Sequence, residues 1–282
     1  MTDIAEETRL RAAIDQHLNQ GRLFADLSRR VAMRTISRDR RAGPALRTYL
    51  EVEILPTLAS LGFQGDILVE PDLGPLPFLI ARRDEDPALP TVLLYGHGDV
   101  VRAEQDWSEG LDPWVLTQRG DRLYGRGAAD NKGQHSVTLA ALAILLGLRG
   151  RLGFNVVFLM EMGEEAGSPG LEAFCQRHAG RLKADVLIAS DGPRWSRARP
   201  TLFLGARGAM DVEISVDLRE RAYHASNWGG WLRNAGHALA RAITVLTDER
   251  GRPTPDAFAV PAAALAVAGF FNRLIVPEDA GL

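Results

Sequence analysis

Four short clusters carry residues that can bind a cation or move a proton: Gly96-His97-Gly98-Asp99, Glu161-Met-Gly-Glu164-Glu165, Ser190-Asp191-Gly192 and Gly125-Arg-Gly-Ala-Ala-Asp130-Asn-Lys132-Gly133. An imidazole with several carboxylates and no thiolate suits zinc or a similar divalent ion in a catalytic setting. His97 with Asp99 two residues on reads as a ligand and the carboxylate that fixes its tautomer. Glu164 beside Glu165 suggests a division of labour, one carboxylate for metal and the other for protons. Taken singly, each cluster has an ordinary explanation. A His-x-Asp pair is common, adjacent glutamates are usually solvated, and Asp191 could cap a helix. The glycine-rich stretch could cradle phosphate, which keeps a nucleotide-binding protein as a weaker reading, but it lacks the Lys-Ser/Thr ending and the dinucleotide spacing.

The elements that would position these clusters make the joint pattern more telling. Three of the four directly follow apolar runs of strand length, Thr91–Tyr95, Phe154–Met160 and Asp185–Ala189. These runs are continuous rather than alternating, which suits central strands covered on both faces. Ligands of open α/β sheets bind at the carboxyl ends of strands, so the clusters should meet in one crevice. Shorter β-like runs lie at Asp66–Glu70 and Phe78–Ala81. Helices are expected from an Asp3 cap onward, with Leu23, Leu27 and Val31 on one face, from Pro44 to Leu61 with Pro56 kinking it, and from Gln134 to Leu148. Ser168-Pro169 should open another, serine as cap and proline at the first helical position. The fold class is therefore α/β, a mostly parallel sheet flanked by helices. Past Pro200 the texture changes: Leu202–Gly205 and Met210–Val216 read as strands, Gly230–Leu246 as helix. A boundary near 200 divides a domain of residues 1–200 from one of 201–282.

The bulk composition narrows the function classes. The chain has 282 residues, 46% of them hydrophobic and 24% charged, with a net charge of −3. That balance gives no electrostatic reason to expect a nucleic acid or an anionic membrane as partner. Cys175 is the only cysteine, which excludes an internal disulfide and a cysteine-based zinc cluster. The acidic N-terminus has no basic segment before an apolar stretch, and the run Ala257–Phe271, interrupted by Pro261, is shorter than the roughly 18 residues a membrane span needs. A cytoplasmic protein is expected. Lysine occurs only at Lys132 and Lys183, so 33 − 2 = 31 basic residues are arginine. Lysine within the glycine-rich cluster hints that a guanidinium would not fit there.

Tyr95-Gly-His97-Gly-Asp99-Val-Val, Leu123-Tyr-Gly-Arg-Gly-Ala-Ala-Asp130-Asn-Lys-Gly133, Glu164-Glu165-Ala-Gly-Ser and Ala189-Ser-Asp191-Gly together resemble, in order and spacing, the successive motifs of the M20 metallopeptidases. That family includes dipeptidases, carboxypeptidases and deacylases of N-acyl amino acids. The resemblance covers roughly residues 20 to 250, including the segment ending Asp112-Pro-Trp114. It implies a zinc exopeptidase-like catalytic domain holding two Zn2+ ions, with Co2+ or Mn2+ as substitutes. His97 and Asp191 would bind one ion, Asp130 would bridge both, and Glu165 would bind the second. Glu164 would be the general base, Asp99 would orient His97, and the Asp130–Asn131 peptide would be cis. Asn131 and Lys132 would shape the loop rather than react. The substrate would be a dipeptide or N-acyl amino acid, cleaved at the amide.

The second domain resembles part of the family's smaller α+β lid or dimerisation domain, which implies a homodimer. Gly205-Ala-Arg-Gly208 and then His224-Ala-Ser-Asn-Trp-Gly229-Gly230 look like its motifs, with Ala225-Ser226 in place of the usual Ser-Gly. His224 would help hold the tetrahedral intermediate. The family also supplies a late histidine to the second ion, and none of His17, His97, His135, His178, His224 and His237 is suitably placed. The expectation is a C-terminally truncated chain whose second site has only Asp130 and Glu165. The competing expectation is a catalytically impaired family member that acts only in binding.

Overall fold

The strand that follows Leu152-Gly-Phe154 sets the architecture, because all seven of its residues are buried. This strand, Asn155–Glu161, belongs to a five-stranded sheet. In chain order the strands are β1 (Gln64–Leu68), β2 (Phe78–Arg83) and β3 (Thr91–His97), then a separate hairpin of β4 (Thr117–Arg119) and β5 (Arg122–Tyr124), then β6 (Asn155–Glu161) and β7 (Val186–Ala189). The sheet order is β1-β2-β6-β3-β7. β3 pairs in parallel with β6 and β7, while β2 is antiparallel to both β1 and β6. The sheet is thus mixed, with β2 alone running against the other four. The structure is a computed structural model that describes residues 4–251 apart from 40, 42, 104–106, 193, 195, 197, 198, 200 and 204–212.

Alternate residues of β6 feed two cores, as a strand with its period of two must. Val156, Phe158 and Met160 pack with Leu46, Tyr49, Leu50, Ile54 and Leu58 from the N-terminal helices and with Leu139 and Leu142 from the long central one. Val157 and Leu159 pack on the other face with Phe78, Ile80, Phe174 and Leu182. The helices are α1 (Ile4–Asn19), α2 (Arg22–Ala32), α3 (Gly43–Tyr49), α4 (Leu55–Ser60), α5 (Lys132–Arg149), α6 (Leu171–Arg177) and α7 (Ala179–Leu182). Helices thus lie on both faces, which makes the class α/β. The run Asp185–Ala189 departs from expectation. Among the described residues β7 pairs only with β3, and Val186, Leu187 and Ile188 are 50%, 61% and 47% exposed. Its apolar side chains read as covered on both faces, yet among the described residues they are only about half covered.

Two helix boundaries differ from the sequence reading for local reasons. The expected helix over 44–61 is present, but Leu50–Ile54 widens into a π turn just before Pro56. A proline without an N–H, whose ring crowds the preceding turn, accounts for the wider turn there. Ser168 does not cap a helix. Its φ is +51°, its hydroxyl donates to Glu161 instead, and α6 starts after Gly170. The Asp3 cap lies outside the described residues.

The chain divides into two compact units, Met1–Phe203 and Leu204–Leu282. In the second, the described residues form α8 (Ala225–Trp228) and α9 (Ala235–Leu246). The helix expected from Gly230 starts only at Ala235, because Asn234 caps it by accepting from the N–H groups of Gly236 and His237. Residues 213–216 form no strand, and 204–212 lie outside the described residues. No described helix is long and apolar enough to cross a membrane.

Candidate metal centre

β3 ends on His97, and the chain turns at once through Gly98 to Asp99. Both His97 and Asp99 are fully buried. The Nδ1 of His97 lies 3.1 Å from the Asp99 carbonyl and 3.3 Å from its carboxylate. The Asp99 carboxylate also accepts the backbone N–H groups of Glu164 and Glu165, at 3.2 and 3.1 Å. One side chain therefore orients the imidazole and holds the turn that follows β6.

With Nδ1 occupied, Nε2 of His97 points to the acidic groups. It lies 2.9 Å from Asp130 Oδ1, 3.6 Å from Asp191 Oδ2 and 3.9 Å from Glu164 Oε2. One ligand atom each from His97, Asp130 and Asp191 can be chosen with all of them within 4.8 Å of one another. Nitrogen and oxygen donors at that spacing fit a divalent cation. The charges fit as well. Burial, then repulsion from Asp130, Glu164 and Asp99, raises the Glu165 carboxyl, although His97 opposes it. Burial raises Glu164 and Asp191 too, with His97 pulling down and neighbouring carboxylates pushing up. Burial pushes the His97 imidazole down, but the Asp99 hydrogen bond and the charges of Asp99, Asp191 and Glu164 outweigh it and hold it at about 9. A cation among these carboxylates would relieve their mutual repulsion.

The loop before α5 brings Asp130 to this point. The Asp130–Asn131 peptide is cis. Gly133 packs so tightly against the loop that a Cβ would strike the Ala128 carbonyl. Lys132 is fully buried. Its ammonium donates to the carbonyls of Arg30 (2.9 Å) and Met33 (2.6 Å) at the end of α2 and lies 5.0 Å from the centre of the Tyr49 ring. That site suits a compact three-donor cation on a slim stem better than a planar fork. Burial lowers its pKa to about 7, against the pull of Asp99.

The structure thus brings together His97, Asp99, Asp130, Glu164 and Asp191. Glu165 stands beside them: its N–H is held by Asp99 and its carbonyl accepts from Arg38 Nε at 2.7 Å, but its carboxylate is not part of the three-residue cluster. His224 lies in the second unit, exposed, where it caps α8 and its Nδ1 is 2.7 Å from the Ser226 hydroxyl. Glu161, which opens the second sequence cluster, was given no role of its own by the sequence. It is paired with His97 across the sheet and fully buried. Its Oε1 accepts from Tyr95 (2.5 Å) and Ser168 (2.9 Å), while Oε2 has no hydrogen-bond partner among the described residues. Burial raises its carboxyl although Tyr95 and Ser168 pull it down. An acidic residue that directly follows the apolar run Val156–Met160 was the available signal for its burial.

The same fold recurs in known proteins. The human carnosine dipeptidase 1 structure superposes with a TM-score of 0.68 and 25% identity, covering 93% of this chain and 58% of that one. The dipeptidase Dug1p from Saccharomyces cerevisiae shares the fold at a TM-score of 0.70 and 21% identity. The model of peptidase family M20/M25/M40 matches residues 93–279, and the chain belongs to that family. In sequence, it is 35% identical over 177 residues to the Beta-Ala-His dipeptidase of Mus musculus, covering 62% of this chain and 36% of that protein. It is 37% identical over 191 residues to the cysteinylglycine-S-conjugate dipeptidase of Corynebacterium striatum, covering 67% of this chain and 42% of that protein. The chain therefore spans less than half the length of these relatives.

Proposed function

We propose that this chain is a metal-dependent hydrolase of the peptide bond in dipeptides, with zinc as the working ion. The observation that carries this reading is the convergence of His97 Nε2, Asp130 and Asp191 on one point, with the Glu164 carboxylate 3.9 Å from the same nitrogen. The names of the relatives support the dipeptide as substrate class. Bound there by His97, Asp130 and Asp191, a divalent ion would supply an acidified water and polarise the scissile carbonyl. Glu164 takes the proton of the attacking water and passes it to the leaving nitrogen. Its raised carboxyl brings it nearer to a proton-transfer group matched to neutral pH. Asp99 holds Nδ1 of His97 so that Nε2 keeps its lone pair for the ion.

In a two-ion version of the site, Asp130 would be shared and Glu165 would hold the second ion. We read the second unit as part of a lid, with His224 helping to hold the tetrahedral intermediate.

Hydrolysis of β-Ala-His and Cys-Gly, followed with and without added Zn2+, tests this reading beside Glu164→Gln. The variant should keep its zinc, measured by elemental analysis, and lose about 10²–10⁴-fold in kcat. Equal turnover by the two proteins, or no turnover by the zinc-loaded wild type, would count against the enzyme.

A further inference from the structure

The ladder between β3 and β7 ends at Tyr95 opposite Ala189. His97 and Asp191 each lie two residues beyond that last pair, where no backbone rung fixes their separation. The side chain of Asn131 occupies this gap. Its Oδ1 lies 3.3 Å from the His97 N–H donor nitrogen, and its Nδ2 donates to the Ser190 carbonyl at 2.7 Å. A buried amide thus takes the place of the next rung of the sheet, and it is joined covalently to Asp130.

All four hydrogen-bonding positions of this amide are filled. Oδ1 also lies 3.3 Å from His135 Nδ1, and Nδ2 also donates to Gln134 Oε1 at 2.8 Å. The orientation follows from the partners: a backbone N–H can only donate and a carbonyl can only accept. His135 is held from behind, its Nε2 2.7 Å from the Tyr49 hydroxyl. Gln134 then reaches past Asp191 and donates to the Gly192 carbonyl at 2.9 Å. The carbonyls of the two residues that flank Asp191, Ser190 and Gly192, are therefore held by the N-cap residue of α5 and by a residue of its first turn. Asn131 stands at the N-cap of α5, yet its side chain makes no capping bond there. Gly96 leaves room for it, since a Cβ would come within 2.9 Å of Asn131 Oδ1.

Resting on the metal-centre reading above, we infer that Asn131 and Gln134 are positioning residues that clamp His97 and Asp191 at ligand spacing from Asp130. They touch neither ion nor substrate, so their effect should appear in metal affinity.

The test is Zn2+ affinity of the full chain by competition with a chromophoric chelator, together with the visible absorption of the Co2+ form. Asn131→Ala should weaken Zn2+ binding about 10–100-fold and change the Co2+ spectrum, as loss of an orienting partner does. Gln134→Ala, at a partly exposed position where the fold should tolerate it, should weaken binding about 10-fold. Leu142→Ala, in the core contacts of the same helix, should cost stability and leave both readouts unchanged. Wild-type affinity in Asn131→Ala and Gln134→Ala overturns the clamp while the metal site stands. If Asn131→Ala does not fold, Gln134→Ala decides alone. A wild type that takes up no Zn2+ overturns the metal reading and the clamp with it.

Discussion

Strands β6 and β7 both deliver acidic residues to the carboxyl end of one sheet, and they are secured in different ways. β6 is buried along its whole length between two layers of helices, and its cluster is tied down further by Asp99 and by the Tyr95–Glu161–Ser168 contacts. Among the described residues β7 hangs on β3 alone with its apolar side chains about half exposed, and the carbonyls flanking Asp191 are held by side chains from the start of α5 and its N-cap. A ligand can therefore be placed by the packing of its own strand or by polar contacts from a neighbour. The second route needs little burial but more specific partners.

The contrast can be broken first at the central strand. Phe158→Ala on β6 should lose about 3–5 kcal/mol of unfolding free energy in urea, as for a large buried aromatic. A loss below about 1 kcal/mol would mean that β6 does not anchor the sheet. Next, Asp191→Ala should weaken Zn2+ binding by more than the roughly 100-fold upper range for an orienting partner. Glu165→Ala should leave the ion held by His97, Asp130 and Asp191 nearly unaffected, because its carboxylate stands outside that three-residue cluster. The reverse order, measured by calorimetry, would move the primary site from the β7 end to the β6 end.

A smaller effect sharpens the account of how β6 is entered. Burial pushes the Glu85 carboxyl up, but the N–H groups of Leu152 and Gly153 and the Arg83 guanidinium outweigh it and hold it below its ordinary 4.5. A depressed carboxyl stabilises fully above the unfolded value and loses that contribution as pH falls through the lower folded one. Glu85→Gln should therefore cost about 1–2 kcal/mol near neutral pH, with the difference from wild type fading in acid. A pH-independent gap in the urea midpoints would contradict it. The smallest change is expected at the edge strand: Leu187→Ala should shift stability by no more than about 0.5 kcal/mol. A loss several times larger would show that β7 is covered in solution.

Much of this arrangement was legible in the residues themselves. Three apolar runs, each ending in a cluster of metal-capable groups, pointed to one crevice for His97, Asp99, Glu164 and Asp191, because a parallel arrangement brings strand ends to one side of a sheet, while Asp130 came from the glycine-rich loop and its role from the resemblance to the M20 motifs. The single lysine in an otherwise arginine-rich first half could be picked out, but its two carbonyl partners at the end of α2 are 102 and 99 residues away in sequence and leave no local trace. Ser168 misled because a Ser-Pro pair resembles a helix start, while its hydroxyl serves Glu161 instead.

Sequence alone determined the class of the fold, the order along the chain of the five strands of the main sheet and the chemistry of the donor set, since periodicity and residue type are local properties. Which apolar run lies at the centre and which at the edge was decided only by tertiary structure, because β6 and β7 look alike until their neighbours are known. The same holds for the polar contacts among Asn131, Gln134, His97 and Asp191. A hydrogen bond between side chain and backbone depends on distances of a few tenths of an ångström, and no residue pattern encodes those before the chain has folded.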